Sequence, residues 1–148
     1  MAEARVYIPE LVTITWGEVI MRQVQKGTFV KASFIEKATK AEAGAQGDVA
    51  VTVNANRMVQ VTLTLQHLSI TNAQLSPLSP QNMPRGSQLV IKPFTIRDQS
   101  NTTAGVFVFG EQAWIETTAD LERGDEHGPA EWGFTIADCS IFTGGFPG

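Results

Sequence analysis

The stretch Val59-Gln60-Val61-Thr62-Leu63-Thr64-Leu65-Gln66 alternates without exception between apolar and polar residues. Because successive side chains of a strand point to opposite faces, this pattern predicts a β-strand with one dry and one polar face. A weaker alternation runs over residues 48–54, and Asn54-Ala55-Asn56-Arg57 follows it. Asparagine tolerates left-handed backbone angles, so these four residues suit a turn. We therefore predict a hairpin over residues 48–66, against which the rest of the chain is built.

Further stretches have the composition of strands, several with the same alternation. They lie at residues 11–16, 18–21, 28–35, 88–96, 102–118 and 131–142. Pro93 falls inside one of them, and because proline donates no ladder hydrogen bond, we expect an edge strand or a bulge there. Seven or eight short strands separated by turn residues predict a mainly β fold, an antiparallel β-sandwich or small barrel.

One short α-helix is predicted within residues 71–83. Asn72 can cap this helix, but Pro77 then falls inside it and breaks it. Alternatively, Ser76 caps the helix and Pro77 takes the first helical position, which proline tolerates. The pattern leaves both alternatives open.

The composition is that of an ordinary soluble domain, with 43% hydrophobic and 18% charged residues among 148. We interpret residues 1–148 as a single domain with an extended N-terminal arm (1–10) and a loose C-terminal tail (143–148). No apolar run approaches the ~18 residues that span a bilayer, and the N-terminus lacks the apolar core of a signal peptide. We therefore expect neither membrane insertion nor Sec export. The single cysteine, Cys139, excludes an internal disulfide.

The charge balance argues against a protein that grips nucleic acid. The net charge is −4 and the isoelectric point is near 5.1. Nucleic-acid binding proteins usually carry a basic patch, whereas the lysines at 31, 37 and 40 are interleaved with Glu36 and Glu42. A surface that avoids holding DNA remains compatible with this balance.

Groups able to carry catalysis are few. A cysteine–histidine nucleophile pair needs His67 within hydrogen-bond reach of Cys139, but a lone cysteine in a strand is more often a packed residue. His127 lies beside Asp125 and Glu126 without a second histidine or a cysteine at zinc-ligand spacing. No glycine-rich phosphate loop is present, because no Gly-Lys-Ser/Thr motif occurs. We therefore predict no enzyme activity, no cofactor and no metal.

Residues 36–47 contain no large apolar side chain. Their composition is typical of a solvated loop or of a projecting loop that becomes ordered on contact with a neighbour. Alanine and lysine favour a helix, but Gly44 and Gly47 disfavour one.

Two groups of short motifs are informative through their order and spacing along the chain. The first group comprises Gly47-Asp48-Val49, Asn54-Ala55-Asn56-Arg57, Val61 to Gln66, and Ser69-Ile70-Thr71-Asn72 with Leu75 and Leu78. A second group comprises Ala113-Trp114-Ile115, Ala119-Asp120-Leu121, Glu131-Trp132-Gly133-Phe134 and Gly144-Gly145. In order and spacing, the motifs resemble those of tail tube proteins of contractile-tailed bacteriophages, a family related to type VI secretion tube proteins. The chain departs from that pattern at Pro77 and Pro80, where the family leads us to expect a continuous helix.

The resemblance implies a structural virion protein of the phage tail, present in the host cytoplasm during assembly. Six subunits would form a ring, and rings would stack into a tube inside the contractile sheath. The tape measure protein and a baseplate or tail terminator would be further partners. DNA would pass through the tube during ejection without sequence-specific binding. In this family the sheets of neighbouring subunits join into one barrel, and such closure removes exposed edge strands.

Two sets of residues become candidate contact sites under this interpretation. The polar face of the predicted hairpin would line the tube wall or lumen, through Thr52, Asn54, Gln60, Thr62, Thr64 and Gln66. The predicted loop over 36–47 would contact the next ring, through Glu36, Lys37, Lys40, Glu42 and Gln46.

Other functions are compatible with the same pattern. A type VI secretion system or a phage-tail-like bacteriocin would use a similar ring to conduct different material. A monomeric β-barrel that binds a ligand would instead show an enclosed apolar cavity, and an enzyme would need His67 or Cys139.

Overall fold

The structure is a computed structural model that describes residues 12–22, 24, 27–98, 107–121 and 128–142. The described strands are β1 (Val12–Trp16), β2 (Val19–Ile20), β3 (Val30–Phe34), β4 (Thr39–Ala43), β5 (Val49–Val53), β6 (Val59–Gln66), β7 (Lys92–Asp98), β8 (Phe107–Thr117), β9 (Pro129–Ile136) and β10 (Cys139–Phe142). The helix α1 spans Ile70–Leu75, and a 3-10 turn follows at Ser76–Leu78. The predicted arm (1–10) and tail (143–148) lie outside the described residues.

Eight strands form one antiparallel sheet in the order β2-β1-β7-β8-β9-β6-β3, with β10 paired to the first part of β8. β4 and β5 form a separate two-stranded sheet. The prediction of a mainly antiparallel β fold with one short helix is confirmed. The described chain has ten strands rather than seven or eight. The increase arises because residues 39–43 form a strand and because a bend at Ala137-Asp138 divides the last predicted strand.

β6 lies inside the large sheet, between β3 and β9. Its four odd-numbered side chains, Val59, Val61, Leu63 and Leu65, are completely buried, while its even-numbered side chains are exposed or partly exposed. The predicted dry and polar faces are therefore confirmed. The dry face is part of the protein's own hydrophobic core.

The core is built around large aromatic side chains. The Phe134 ring lies with its centroid 5.4 Å from the Trp16 ring and 5.1 Å from the Phe94 ring. The Trp16 indole donates a buried hydrogen bond of 3.0 Å from Nε1 to the Ala113 carbonyl. Edge-on and tilted ring pairs at this spacing are favourable beyond the area they bury. These contacts hold β1, β7, β8 and β9 together on the face to which β6 contributes its dry side chains.

The predicted hairpin over residues 48–66 is wrong in its pairing. β5 pairs with β4, from Thr39 opposite Val53 to Ala43 opposite Val49, whereas β6 pairs with β3 and β9. Residues 54–57 do not reverse the chain, because the Asn54 amide donates to the Ala38 carbonyl at 2.7 Å and so continues the ladder. The reversal lies at Gly44–Asp48, where Gly47 adopts φ +86° and the Gly44 amide donates to the Asp48 carbonyl.

The true hairpin therefore runs from β3 through β4 and back through β5 to β6. The prediction of a loop over residues 36–47 is correspondingly corrected, since β4 occupies its middle. Residues 39–43 form a strand because β5 supplies their hydrogen-bonding partners. Their own weak apolar pattern did not predict a strand. Pairing can override local propensity in this way.

The helix begins at Ile70, one residue before the predicted range, and ends at Leu75, two residues before Pro77. Neither predicted cap is used, because the Ser69 hydroxyl accepts a hydrogen bond from the Thr71 amide and also donates to the Arg22 carbonyl. Asn72 instead accepts a 2.9 Å bond from the Trp132 indole. Pro77 ends the α-helix and is accommodated in the 3-10 turn. The helix therefore has 6 residues and is not the continuous helix that the family resemblance implies.

Pro93 lies in β7, which is an interior strand between β1 and β8. The register of β7 against β8 shifts between Lys92 and Phe94. The proline therefore occupies a bulge, one of the two predicted alternatives. Its carbonyl accepts a 2.8 Å bond from the Gly17 amide.

Candidate assembly interface

The two-stranded sheet of β4 and β5, with its turn at 44–48, is called the ribbon. Paired residues of an antiparallel ladder point to the same face. The register therefore places one set of small and branched apolar side chains together, with a single threonine. This valine face consists of Thr39, Ala41, Ala43, Val49, Val51 and Val53. All ten strand residues of the ribbon are exposed.

The valine face has no cover within the described chain. Val49, Val51 and Val53 are 65%, 62% and 76% exposed. A two-stranded ribbon alone is marginally stable in water at best, and contiguous exposed apolar side chains commonly mark interaction sites. The alternation over residues 48–54 predicted a strand of the central hairpin and therefore did not indicate these valines as site residues.

The opposite face of the ribbon is polar. It carries Lys40 and Glu42, whose Nζ and Oε1 atoms are 3.4 Å apart with both side chains more than 70% exposed. Thr52, predicted for the tube wall, lies on this face beside Lys40. The other residues predicted for ring stacking are also exposed, with Gln46 in the ribbon's turn and Glu36 and Lys37 at its base. Exposed ion pairs contribute little to stability, so the polar face suits solvent.

The ribbon is joined to the large sheet through residues 35–38 and 54–58, here called the neck. Asn54, predicted for the tube wall, organises the neck. Its side-chain amide donates to Glu36 Oε2 at 2.7 Å and to the Lys37 carbonyl at 3.1 Å, and its Oδ1 accepts from the Asn56 amide. The Asn56 side chain in turn accepts from the Met58 amide. Asparagine side chains thus satisfy backbone groups where the ladder is interrupted.

The remaining tube-wall candidates share one surface. Gln60, Thr62, Thr64 and Gln66 lie on the polar face of β6, away from the core. The structure therefore brings four of the six predicted residues together, while Thr52 and Asn54 lie on the ribbon and the neck.

The strands beside β6 make this polar face acidic along one flank. Thr64 lies opposite Glu131 on β9, and a surface groove lined by Gln60 and Thr62 also reaches Asp120 and Glu131. Further along, Glu116 Oε2 accepts a 2.9 Å bond from the buried Thr135 hydroxyl. On the other flank Lys31 lies opposite Thr62. Hydroxyl and amide groups with carboxylates on one side form a well-hydrated surface with little attraction for phosphate.

The groups considered for catalysis lie apart. Cys139 donates its amide to the Arg57 carbonyl, just before β6 begins, whereas His67 follows the last residue of β6. At about 3.3 Å per residue the eight-residue strand separates them by on the order of 25 Å. Burial raises the pKa of the Cys139 thiol to about 11, which disfavours a nucleophilic thiolate. His127 lies outside the described residues.

Within the described ranges, no group of three or more histidine, cysteine, aspartate and glutamate residues is placed to hold a metal ion. Among those same residues, none of the helical segments has the length and apolarity that a bilayer crossing requires.

No protein-family model matches the chain, and neither does any curated protein. Solved structures do share its fold. The tube-terminating cap of the anti-feeding prophage aligns with a TM-score of 0.60 and 14% identity over 97% of this chain and 95% of that chain.

Two further similar structures come from an extracellular contractile injection system, PVC, in the extended state. Its sheath/tube terminator has a TM-score of 0.59 and 11% identity over 95% of this chain and 99% of that chain. A chain of its sheath–tube complex has a TM-score of 0.56 and 11% identity over 92% and 90%. At identities this low the comparisons establish a common fold. The chain therefore has a fold found in structural components of contractile tube and sheath assemblies.

Proposed function

We propose that this protein is a structural subunit of the inner tube of a contractile phage tail. Six copies form a ring, and rings stack into a tube that the sheath surrounds and through which DNA leaves. The single observation that carries the proposal is the exposed valine face of the ribbon, which none of the described residues covers. The tail tube resemblance of the sequence, and the fold shared with a tube-terminating cap and with a chain of a sheath–tube complex, support it.

The ribbon supplies the contact between rings. Three exposed valines on a narrow two-stranded projection are costly to leave in water, and burying them on a second copy of the chain removes that cost. The ribbon continues from the end of β3 and leads into the start of β6, and its strand residues are all exposed, so a neighbouring subunit can reach them. Glu36, Lys37, Lys40, Glu42 and Gln46 then flank the contact as its polar rim.

The polar face of β6 lines the lumen in this proposal. Gln60, Thr62, Thr64 and Gln66 present hydroxyl and amide groups, and Glu131 and Asp120 add negative charge nearby. Like charge keeps DNA from adhering to the wall, whereas basic groups would bind phosphates. A density map of the assembled tube tests this placement directly. The placement is wrong if these side chains contact another protein chain instead of the channel.

The stacking contact is tested by two adjacent substitutions on the ribbon. We expect V51E to abolish stacking, because a carboxylate would be buried against the next ring, while rings still form. T52E, one residue along on the polar face beside Lys40, should leave stacking intact. Negative-stain electron microscopy and sedimentation of the purified variants measure ring and tube content. Tubes of normal length from V51E would contradict the proposal.

A second candidate function is a cap that terminates the tube. Its support is that two terminators align with the chain over 95% or more of both partners, against 92% and 90% for the sheath–tube chain. A cap adds one ring to a tube end, whereas a tube subunit adds many. Counting rings by electron microscopy after the protein is added to tube ends separates these two functions. A tube of a type VI secretion system or a bacteriocin would elongate similarly but conduct other material.

A further inference from the structure

Among the residues that the structure describes, no apolar packing holds the direction in which the ribbon leaves the sheet. Every strand residue of the ribbon is exposed. The hydrogen bonds of Asn54 and Asn56 join parts of the neck to one another and to the ribbon. They stabilise the neck internally, but they leave its angle to the large sheet to other contacts.

Arg57 connects the neck to a different part of the sheet. Its Nε atom is 3.0 Å from Asp138 Oδ1, and its Nη2 donates a 3.1 Å hydrogen bond to Ser140 Oγ. The Arg57 carbonyl also accepts a 3.2 Å bond from the Cys139 amide. Main chain and side chain of one neck residue therefore contact three consecutive residues, one in the bend after β9 and the first two of β10.

The segment that receives Arg57 is a firm anchor. The Ala137 amide donates to the Gln112 carbonyl at 2.9 Å, and Cys139 pairs with Gly110 on β8 while its side chain is buried. The anchor is thus tied to the centre of the sheet. The Ile35 amide, which donates to the Met58 carbonyl at 3.1 Å, continues the β3–β6 ladder into the neck, and Arg57 adds a second link, from the neck to this anchor.

We propose that Arg57 is a positioning residue whose ion pair with Asp138 sets the direction of the ribbon relative to the sheet. The two side chains are 55% and 74% exposed, so salt screens their attraction. The direction of the ribbon therefore depends on ionic strength, and it is best defined in dilute salt. The consequence for ring stacking rests on the proposed function, whereas the effect on the ribbon of a free subunit does not.

The test measures the free subunit first. Hydrogen exchange of the Cys139 amide reports how often the neck separates from its anchor, since that amide donates to Arg57. We expect R57Q and D138N each to accelerate this exchange about two- to fivefold, the range that one exposed ion pair allows. The wild-type protein should accelerate similarly in about 1 M salt, where the screening length is near 3 Å, while R57Q should not.

Distances between two spin labels, measured by pulsed electron paramagnetic resonance, report the direction of the ribbon relative to the sheet. Spin labels at A45C in the ribbon's turn and T13C on β1 should show a broader distance distribution in R57Q than in the unsubstituted background. The charge-swapped pair R57D/D138R should restore a narrow distribution and its salt dependence, which a merely structural role for Arg57 would not produce. R85Q removes an exposed arginine elsewhere and is the control for net charge.

An unchanged distance distribution and unchanged Cys139 exchange in R57Q would overturn the inference. Equal salt dependence in the wild-type protein and R57Q would overturn it as well. Tube elongation, assayed separately, distinguishes this failure from failure of the proposed function. If V51E elongates normally, the ribbon is not the stacking contact, whatever Arg57 does to its direction.

Discussion

β5 and β6 carry the same kind of alternating pattern and have opposite environments. The odd-numbered residues of β6 are completely buried beneath the sheet, whereas Val49, Val51 and Val53 of β5 are at least 62% exposed. The two strands follow one another in the chain and belong to the same long hairpin. The difference is that β6 has ordered strands on both sides and a core below it, while among the described residues β5 has only β4 as a neighbour.

The comparison shows what an alternating pattern specifies. It determines which side chains share a face, because the period of a strand is two. It does not determine what covers that face. Where the same chain covers it, the face becomes core, as in β6, and where no described residue covers it, the face stays exposed, as in β5. Under the proposed function, the valine face is an apolar surface that assembly buries.

The largest effect is expected when a valine is shortened to alanine in the buried strand β6, whose counterpart β5 has its valines exposed. V61A removes two methyl groups from a completely buried site between β3 and β9. We expect the free energy of unfolding of the isolated subunit to fall by about 3 kcal/mol, from lost apolar burial and the cavity left behind. Urea denaturation followed by tryptophan fluorescence measures it. A cost near zero would mean that β6 is not part of a packed core.

The boundary between the two regions can be probed by pH through Cys139, whose amide contacts the neck. Burial raises the pKa of its thiol from 9.0 to about 11. Between these values the unfolded chain holds fewer protons than the folded one, so stability falls as pH rises, and below pH 9.0 the contribution is fully present. We expect a loss of roughly 2 kcal/mol across this window.

C139A supplies the control for that titration, because other groups also ionise at high pH. Its free energy of unfolding should fall less steeply than that of the wild-type protein over the same pH range. Equal slopes for both proteins would show that the thiol is accessible to water in the folded state.

The comparison also separates what the residues could predict from what they could not. The alternation of Val59–Gln66 was enough for a strand, its two faces and its contribution to the core. It could not identify the partner of β5, because residues 39–43 contain no large side chain and become a strand only through pairing. Likewise, Ser69 caps the helix because tertiary structure brings the Arg22 carbonyl to its hydroxyl, a contact between residues 47 positions apart. Local sequence patterns therefore predicted which side chains share a strand face, whereas contacts between distant residues determined which strands pair and which residue caps the helix.

The smallest effect is expected from the matched substitution in the exposed strand. V51A makes the same chemical change as V61A, but at a side chain that is 62% exposed. We expect the stability of the isolated subunit to change by less than about 0.5 kcal/mol, because little burial is lost. In assembled tubes the same substitution should weaken stacking, since the methyl groups are then buried against a neighbour. Paired urea denaturation of free subunits and dissociation of tubes measure the two effects. A cost in the free subunit as large as that of V61A would show that the ribbon packs against its own body in solution, and would remove the distinction between the two strands.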